Sequence, residues 1–309
     1  MILVTGGAGF IGSHVVEELV DRGHDVVVLD NFSVGCEENL REVRDDIEIV
    51  RADVTDPRAV ERTFREYRPE AVIHLAAQVN VRYSMESPFV DARINALGTL
   101  NLVSLAAEHD VERFVYASSG GAVYGEPEYL PVDEEHPTRP ISNYGVSKLA
   151  GEYYVRVYAE RDGFEYVILR YANVYGPRQD PRGEAGVIPI FLLRAARGEP
   201  LTIFGDGEQT RDFVFVEDVA RVTAEAVERG DGVYNIGTGR ETSVNDIVNA
   251  VKAVTGVDVE VVYEDPRPGE VRRIYLDPSR AREELGFEPR VDLEEGIERT
   301  WEWIRRKIA

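Results

Sequence analysis

Two rhythms alternate along the first half of the chain. Short runs of consecutive apolar, often β-branched residues at Ile2–Thr5, Val26–Asp30, Ile47–Arg51, Ala71–Leu75, Arg113–Ala117 and Tyr166–Arg170 read as strands buried on both faces. Between them apolar side chains recur every three or four positions, over Gly12–Arg22, Pro57–Tyr67, Pro88–His109 and Tyr144–Arg161, which is the spacing of amphipathic helices. Strand–helix–strand alternation predicts a parallel sheet with helices on both faces and right-handed crossovers. The expected fold class is α/β, a doubly wound parallel sheet followed by a smaller second domain. Past about Asn173 the rhythm loosens, and segments rich in Pro, Gly and charge at 176–186, 198–200 and 264–270 separate shorter elements. The expected division is therefore 1–172 and 173–309, with a segment of about 214–250 returning to the first domain. A last amphipathic helix, Leu293–Ile308, carries both tryptophans, which are assigned to packing.

The loop after the first strand reads Thr5-Gly6-Gly7-Ala8-Gly9-Phe10-Ile11-Gly12, with glycines at 7, 9 and 12. Glycines permit a tight turn and close approach of the backbone to a pyrophosphate, and the helix that follows offers its free N–H groups to the anion. Such a fingerprint is weak alone; between a strand and a helix it is strong. Asp30 ends the second strand, where a carboxylate accepts hydrogen bonds from an adenosine ribose diol and repels a 2′-phosphate, so NAD is expected rather than NADP. Asp53 ends the third strand, where its carboxylate or the neighbouring backbone reaches an adenine amino group. The small residues of His74-Leu75-Ala76-Ala77-Gln78 let a cofactor pass the end of the fourth strand, and His74 itself reads as a packed core histidine.

Tyr144 and Lys148 sit four residues apart at the start of a predicted helix, on one face. A nearby ammonium stabilises a phenolate, which can then take a proton from a sugar hydroxyl while hydride leaves for a nicotinamide.

Composition narrows the partners. With 35 basic and 57 acidic residues the formal net charge is −22, which argues against nucleic acid and anionic membranes. The basic residues comprise only three lysines (Lys148, Lys252, Lys307) against 32 arginines. An acid-rich, lysine-poor surface suits a salty cytoplasm, where repulsion is screened. One cysteine, Cys36, excludes an intramolecular disulfide, no apolar run is long enough to span a bilayer, and the N-terminus does not read as a signal peptide. The five histidines show no ligand spacing, so no metal site is expected.

These residues, together with Asn95, Ser118–Gly125, Leu169–Pro177, the Gly205–Phe213 segment and Arg267-Pro268-Gly269-Glu270, resemble the extended short-chain dehydrogenase/reductase family over nearly the whole chain. Within it the chain is most similar to nucleotide-sugar 4-epimerases of the UDP-glucose/UDP-galactose type. The resemblance implies a Rossmann doubly wound parallel sheet with a smaller C-terminal α/β substrate domain, tightly bound NAD, a UDP-sugar substrate, a transient 4-keto sugar and a homodimer formed through a helix bundle. It implies cofactor contacts from Gly6, Gly9, Phe10, Ile11 and Gly12, from Asp30, Asn31, Ser33 and Gly35, from Asp53 and Val54, from Leu75, Ala76, Ala77 and Gln78, and from Asn95, Ser118, Tyr144, Lys148 and Tyr171. Substrate contacts fall on Asn80, Asn173, Val187, Phe204, Arg211, Phe213, Val244, Arg267 and Glu270, with Ile274 beside the sugar 2-substituent.

The sequence departs from the family at one catalytic position. The family places Ser or Thr four residues before the Tyr of its Val-Tyr-Gly turn; here that turn is Val123-Tyr124-Gly125 and the position is Gly120. Ser119 is the expected substitute for the missing hydroxyl; otherwise water or Tyr144 alone serves. Family dehydratases carry an acidic pair directly before the same turn, where this chain has Gly121 and Ala122, which favours epimerisation over dehydration. The rival readings are a UDP-glucuronate or UDP-N-acetylhexosamine epimerase, a decarboxylase, and a non-catalytic NAD-sensing protein.

Overall fold

In the computed structural model, which describes residues 1–181, 186–266 and 271–308, strand β1 (Ile2–Thr5) is buried along its whole length. It lies inside a seven-stranded parallel sheet. Strands β2 (Val26–Asp30) and β3 (Ile47–Arg51) extend the sheet on one side of β1. Strands β4 (Ala71–His74), β5 (Arg113–Ser119) and β6 (Glu165–Tyr171) extend it on the other, and the strand Gly232–Ile236 completes the edge beside β6. The chain reverses its direction of growth between β1 and β4. At such a switch point the loops at the carboxyl ends of the strands part and leave a crevice for ligands.

Apolar residues cover both faces of this sheet, as the continuous hydrophobic runs require. Helix α1 (Phe10–Asp21) and the helix Val216–Glu225 bury Val15, Val16, Leu19, Val219 and Val222 on one face. On the other, helix α2 (Pro57–Tyr67), Gly98–Glu108 and Asn143–Asp162 bury Val60, Phe64, Leu102, Val103, Val155 and Ala159. Local sequence sets their ends. Asp56 caps α2 by accepting from the N–H groups of Arg58 and Ala59, with Pro57 preset at the first helical position. Ser142 caps the helix Asn143–Asp162, and Gly163 ends it in the left-handed conformation.

A second core forms from the helices Val187–Arg197, Val244–Thr255 and Leu293–Ile308 with the parallel strands Leu201–Phe204 and Val261–Glu264. Ile188, Phe191, Ile247, Val251 and Ile297 lie at its centre, with Trp301 and Trp303 packed against it. The helix Val244–Thr255 belongs to this core, so the segment returning to the large sheet ends before the expected residue 250. Two further differences bear on the site. The expected helix Pro88–His109 contains a π-helical turn, Ala92–Leu97, between α-helical pieces. Strand β5 runs two residues further than expected and carries Ser118 and Ser119 to the edge of the crevice. No helix among the described residues is long and apolar enough to cross a membrane.

Candidate active site

The crevice is lined first by the glycine loop. A Cβ on Gly12 would lie 2.1 Å from the carbonyl oxygen of Gly6, and one on Gly6 would lie 2.7 Å from the nitrogen of Ala76, so the loop, β4 and α1 meet at distances only glycine allows. Helix α1 starts at Phe10 with no side-chain cap and no acid in its first turn, so the first-turn N–H groups of Phe10, Ile11 and Gly12 have no such partner. The partial positive charge of that end suits a phosphate. Asp30 is fixed by two backbone donors: Phe32 N–H to Oδ1 at 2.8 Å and Ala8 N–H to Oδ2 at 3.0 Å. Each oxygen keeps a second lone pair for a ribose hydroxyl. Asn31 donates to Asp53 at 2.8 Å and accepts from the Ser33 N–H at 2.9 Å. Burial opposes ionisation of Asp53, and hydrogen bonds from Thr55 and Asn31 more than offset it, holding its carboxyl below the usual range. Gly35 packs on the backbone of Ala8, and Val54 is buried beneath Gly98. A tight anion loop, an uncapped helix end and a pre-oriented acid together fit a dinucleotide.

The wall at the end of β4 is held by Asn95. Its Oδ1 accepts from the Gln78 N–H at 2.8 Å, and its Nδ2 donates to the Gln78 carbonyl at 2.9 Å and the Ser147 hydroxyl at 3.2 Å. Leu75, Ala76 and Ala77 are half-buried along this wall. His74 lies beneath it, bonded to Thr5 at 2.7 Å and Thr99 at 3.0 Å. Burial first, and then the charge of Lys148, lower its imidazole to about 3, so it is a neutral core residue and no general base.

Tyr144 and Lys148 stand on the first two turns of the helix Asn143–Asp162. The backbone N–H of Tyr144 is anchored on the buried hydroxyl of Ser84 at 3.0 Å. Burial of the Tyr144 phenol pushes it up to about 12; a hydrogen bond with the Ser119 side chain pulls it down, and the charge of Asp91 pushes it up. Lys148 is buried with its Nζ 4.8 Å above the centre of the Tyr116 ring. Burial lowers it to about 8 against the opposing pull of Glu152 and Asp91. Ser119, at the very end of β5, therefore stands beside the Tyr144 phenol. Position 120 is itself crowded: a Cβ on Gly120 would lie 2.6 Å from Cδ1 of Leu276 and 3.2 Å from the carbonyl oxygen of Arg170. Leu276 occupies the space a side chain at position 120 needs.

The side chains of two residues expected at the cofactor, Ser118 and Tyr171, are engaged by neighbouring protein groups. The Ser118 hydroxyl donates to Glu152 at 2.5 Å, joining a buried ion pair in which Arg170 grips Glu152 at 3.0 and 2.7 Å. The Tyr171 hydroxyl bonds Thr223 at 2.7 Å in the core beneath the helix Val216–Glu225. Strand alternation sends the two side chains to opposite faces, Ser118 toward the helix Asn143–Asp162 and Tyr171 toward the helix Val216–Glu225.

On the substrate side, Asn80 caps the helix Val81–Glu86 through its Oδ1, 2.6 Å from the Tyr83 nitrogen. The Asn173 Oδ1 lies 3.8 Å from where a Cβ on Gly121 would stand, close to the catalytic turn. Arg211 donates to the Thr210 carbonyl at 2.7 Å. Val187 and Val244 each open a helix, and Phe204 ends a strand, all partly buried. Phe213 is a core residue packed edge-on against Tyr175 at 6.4 Å. Ile274 is buried beside Tyr124 and Leu276. Arg267 and Glu270 lie outside the described residues.

Residues 2–237 match the NAD dependent epimerase/dehydratase family. The chain belongs to that family. A Methanocaldococcus jannaschii relative is 51% identical over 306 residues, covering 99% of this chain and 98% of its own. The solved UDP-glucose 4-epimerase of Thermotoga maritima with UDP-glucose is 48% identical, with a TM-score of 0.97 over 100% of this chain and 99% of the other. The Thermus thermophilus UDP-glucose 4-epimerase in complex with NAD is 45% identical, with a TM-score of 0.93 over 98% of each chain. Three residues of this NAD-dependent epimerase site were not anticipated from sequence. Asp91 and Glu152 are each four residues from a recognised site residue, Asn95 and Lys148, a spacing that could have flagged them. Leu276 carried no such signal.

Proposed function

We propose that this protein interconverts UDP-glucose and UDP-galactose at C4 through a 4-keto sugar. The observation that carries the reading is the grouping of Tyr144, Lys148 and Ser119 beside a dinucleotide loop, with no acid at Gly121 or Ala122. Bound NAD would accept hydride from C4 and return it to the other face of the 4-keto sugar. Tyr144 takes the proton of the 4-hydroxyl and gives it back. Ser119 hydrogen-bonds the reacting oxygen and, through Tyr144, favours the phenolate. Lys148 supplies the positive charge that stabilises that phenolate. Arg211 and Asn173 are assigned to the diphosphate, whose fork-like recognition suits arginine.

We assign residues 1–172 to a cofactor domain and most of the remainder to a substrate domain, in a cytoplasmic homodimer. The dimer is supported by apolar side chains left exposed on two neighbouring helical stretches, Phe89 and Leu97 on one and Val146, Tyr153 and Val157 on the other. Light scattering should give twice the monomer mass. In the activity test, Tyr144→Phe should slow epimerisation roughly 100- to 10,000-fold, the span of acid–base contributions, while bound NAD is retained. Unchanged turnover would overturn the reading. Unchanged turnover in Ser119→Ala would remove Ser119 from the mechanism.

A further inference from the structure

Asp91 ends the helical turn Pro88–Asp91, where the π-helical turn begins, and is only 1% exposed. Its Oδ1 accepts from Gln78 Nε2 at 2.8 Å and from Asn95 Nδ2 at 3.1 Å. Its Oδ2 is buried and has no hydrogen-bond partner among the described residues. Two neutral amides do not balance a buried charge, and an unbalanced buried carboxylate is strongly unfavourable.

The charges around it are few. Lys148, 4% exposed, makes no ion pair within contact distance among the described residues. Glu152, one turn along the same helix, is already held by two hydrogen bonds from Arg170 of β6 and one from Ser118 of β5. Facing Lys148 from β5 is the neutral Tyr116 ring, and from β4 the neutral His74. Tyr144 shares its helix. Asp91 is thus the one carboxylate among these groups that no cation has engaged. It is also tied to the helix bearing Lys148, because Asn95 Nδ2 bonds both Asp91 and the Ser147 hydroxyl.

We propose that Asp91 is a positioning residue of the Tyr144–Lys148 pair: its carboxylate is the counter-charge that keeps Lys148 protonated inside the protein. This rests on the epimerase reading for its catalytic meaning, though not for its geometry. The opposite signs of the two sites fix the consequence. A negative charge raises the proton affinity of both Lys148 and Tyr144. Removing it lowers both, so both limbs of a pH–rate profile move to lower pH.

The three lysines make a direct test possible. In holoenzyme labelled with 15N-lysine, the Nζ signal of Lys148 is titrated in the native chain and in Asp91→Asn, with Lys252 and Lys307 as internal controls. The expected result is a midpoint for Lys148 lowered by about one pH unit, a tenfold change in its protonation ratio, with the controls unmoved. An unchanged or raised midpoint overturns the proposal whether or not the protein is an epimerase. In the activity arm, a profile scaled down without displacement of its limbs also overturns it. Should Asp91→Asn not fold, the double variant Asp91→Asn with Lys148→Met, which leaves neither charge stranded, should fold and resist urea better than Lys148→Met alone. A double variant no more stable than Lys148→Met alone overturns the proposal.

Discussion

Replacing Gly120 tests why the family's hydroxyl is absent from this chain. Its added Cβ would stand 2.6 Å from Leu276 Cδ1 and 3.2 Å from a backbone oxygen, and Leu276 is itself 1% exposed with little room to retreat. Overpacking of this kind costs about 1–3 kcal/mol. Gly120→Ala should therefore destabilise the fold by about 1–3 kcal/mol. Leu276→Ala alone removes a buried side chain and should cost about 2–5 kcal/mol. In the double variant the clash disappears and the new methyl fills part of the space, so its loss should fall short of the sum by about 1 kcal/mol or more. Urea unfolding at fixed salt, with equal slopes across the four proteins, gives the cycle. Additivity to within about 0.5 kcal/mol, or a stabilised Gly120→Ala, would refute the idea that Leu276 excludes a side chain here. A functional arm extends the argument: Gly120→Ser with Leu276→Ala should restore turnover to an enzyme weakened by Ser119→Ala.

Glu152→Gln strips the charge from a buried pair and leaves Arg170 uncompensated, so unfolding experiments should show a loss of about 3–5 kcal/mol; a loss below about 1 kcal/mol, the scale of an exposed pair, would contradict the role given to that network. Lys148, held near 8 by burial, is charged below that pH and neutral above it. Because the Tyr144 phenol is pushed up to about 12, the phenolate gained with rising pH offsets the ammonium lost above about 8, so turnover should climb up to about pH 8 and then level off; a rate still climbing at pH 9 would count against Lys148 as the charge that supports the phenolate. Net charge of −22 predicts a melting temperature that rises with KCl, because screening lengths shrink from about 10 Å at 0.1 M to about 3 Å at 1 M. An unchanged melting temperature would remove the salty-environment reading of the surface.

The sequence shows these features unequally, for physical reasons. Strands β1 to β3 and helix α2 coincide with their apolar patterns because local periodicity and capping define them. The glycine loop and Asp30 were equally legible, since their chemistry depends on residues close together in the chain. A strand buried on both faces, however, has no polar side to show which residue points where. The pattern of β5 and β6 therefore does not show that the Ser118 side chain meets Glu152 or that the Tyr171 side chain meets Thr223. The π-helical turn that places Asn95 and Asp91 has no apolar signature of its own. Contacts across long separations were invisible as well: Leu276 reaches Gly120 because the segment before it bonds Val132, with Val132 N–H to the Tyr275 carbonyl at 2.9 Å and Asp277 N–H to the Val132 carbonyl at 2.7 Å. Gly120 marks a departure from the family pattern, and the fold shows which side chain crowds it.

The most direct measurement is proton NMR of UDP-glucose incubated with the purified, NAD-loaded protein. The predicted result is growth of UDP-galactose to a fixed equilibrium ratio, reached also from UDP-galactose, with no NADH released in proportion to product. A folded, NAD-loaded protein that leaves UDP-glucose unchanged, or converts it to a 4-keto-6-deoxy sugar, would contradict the account.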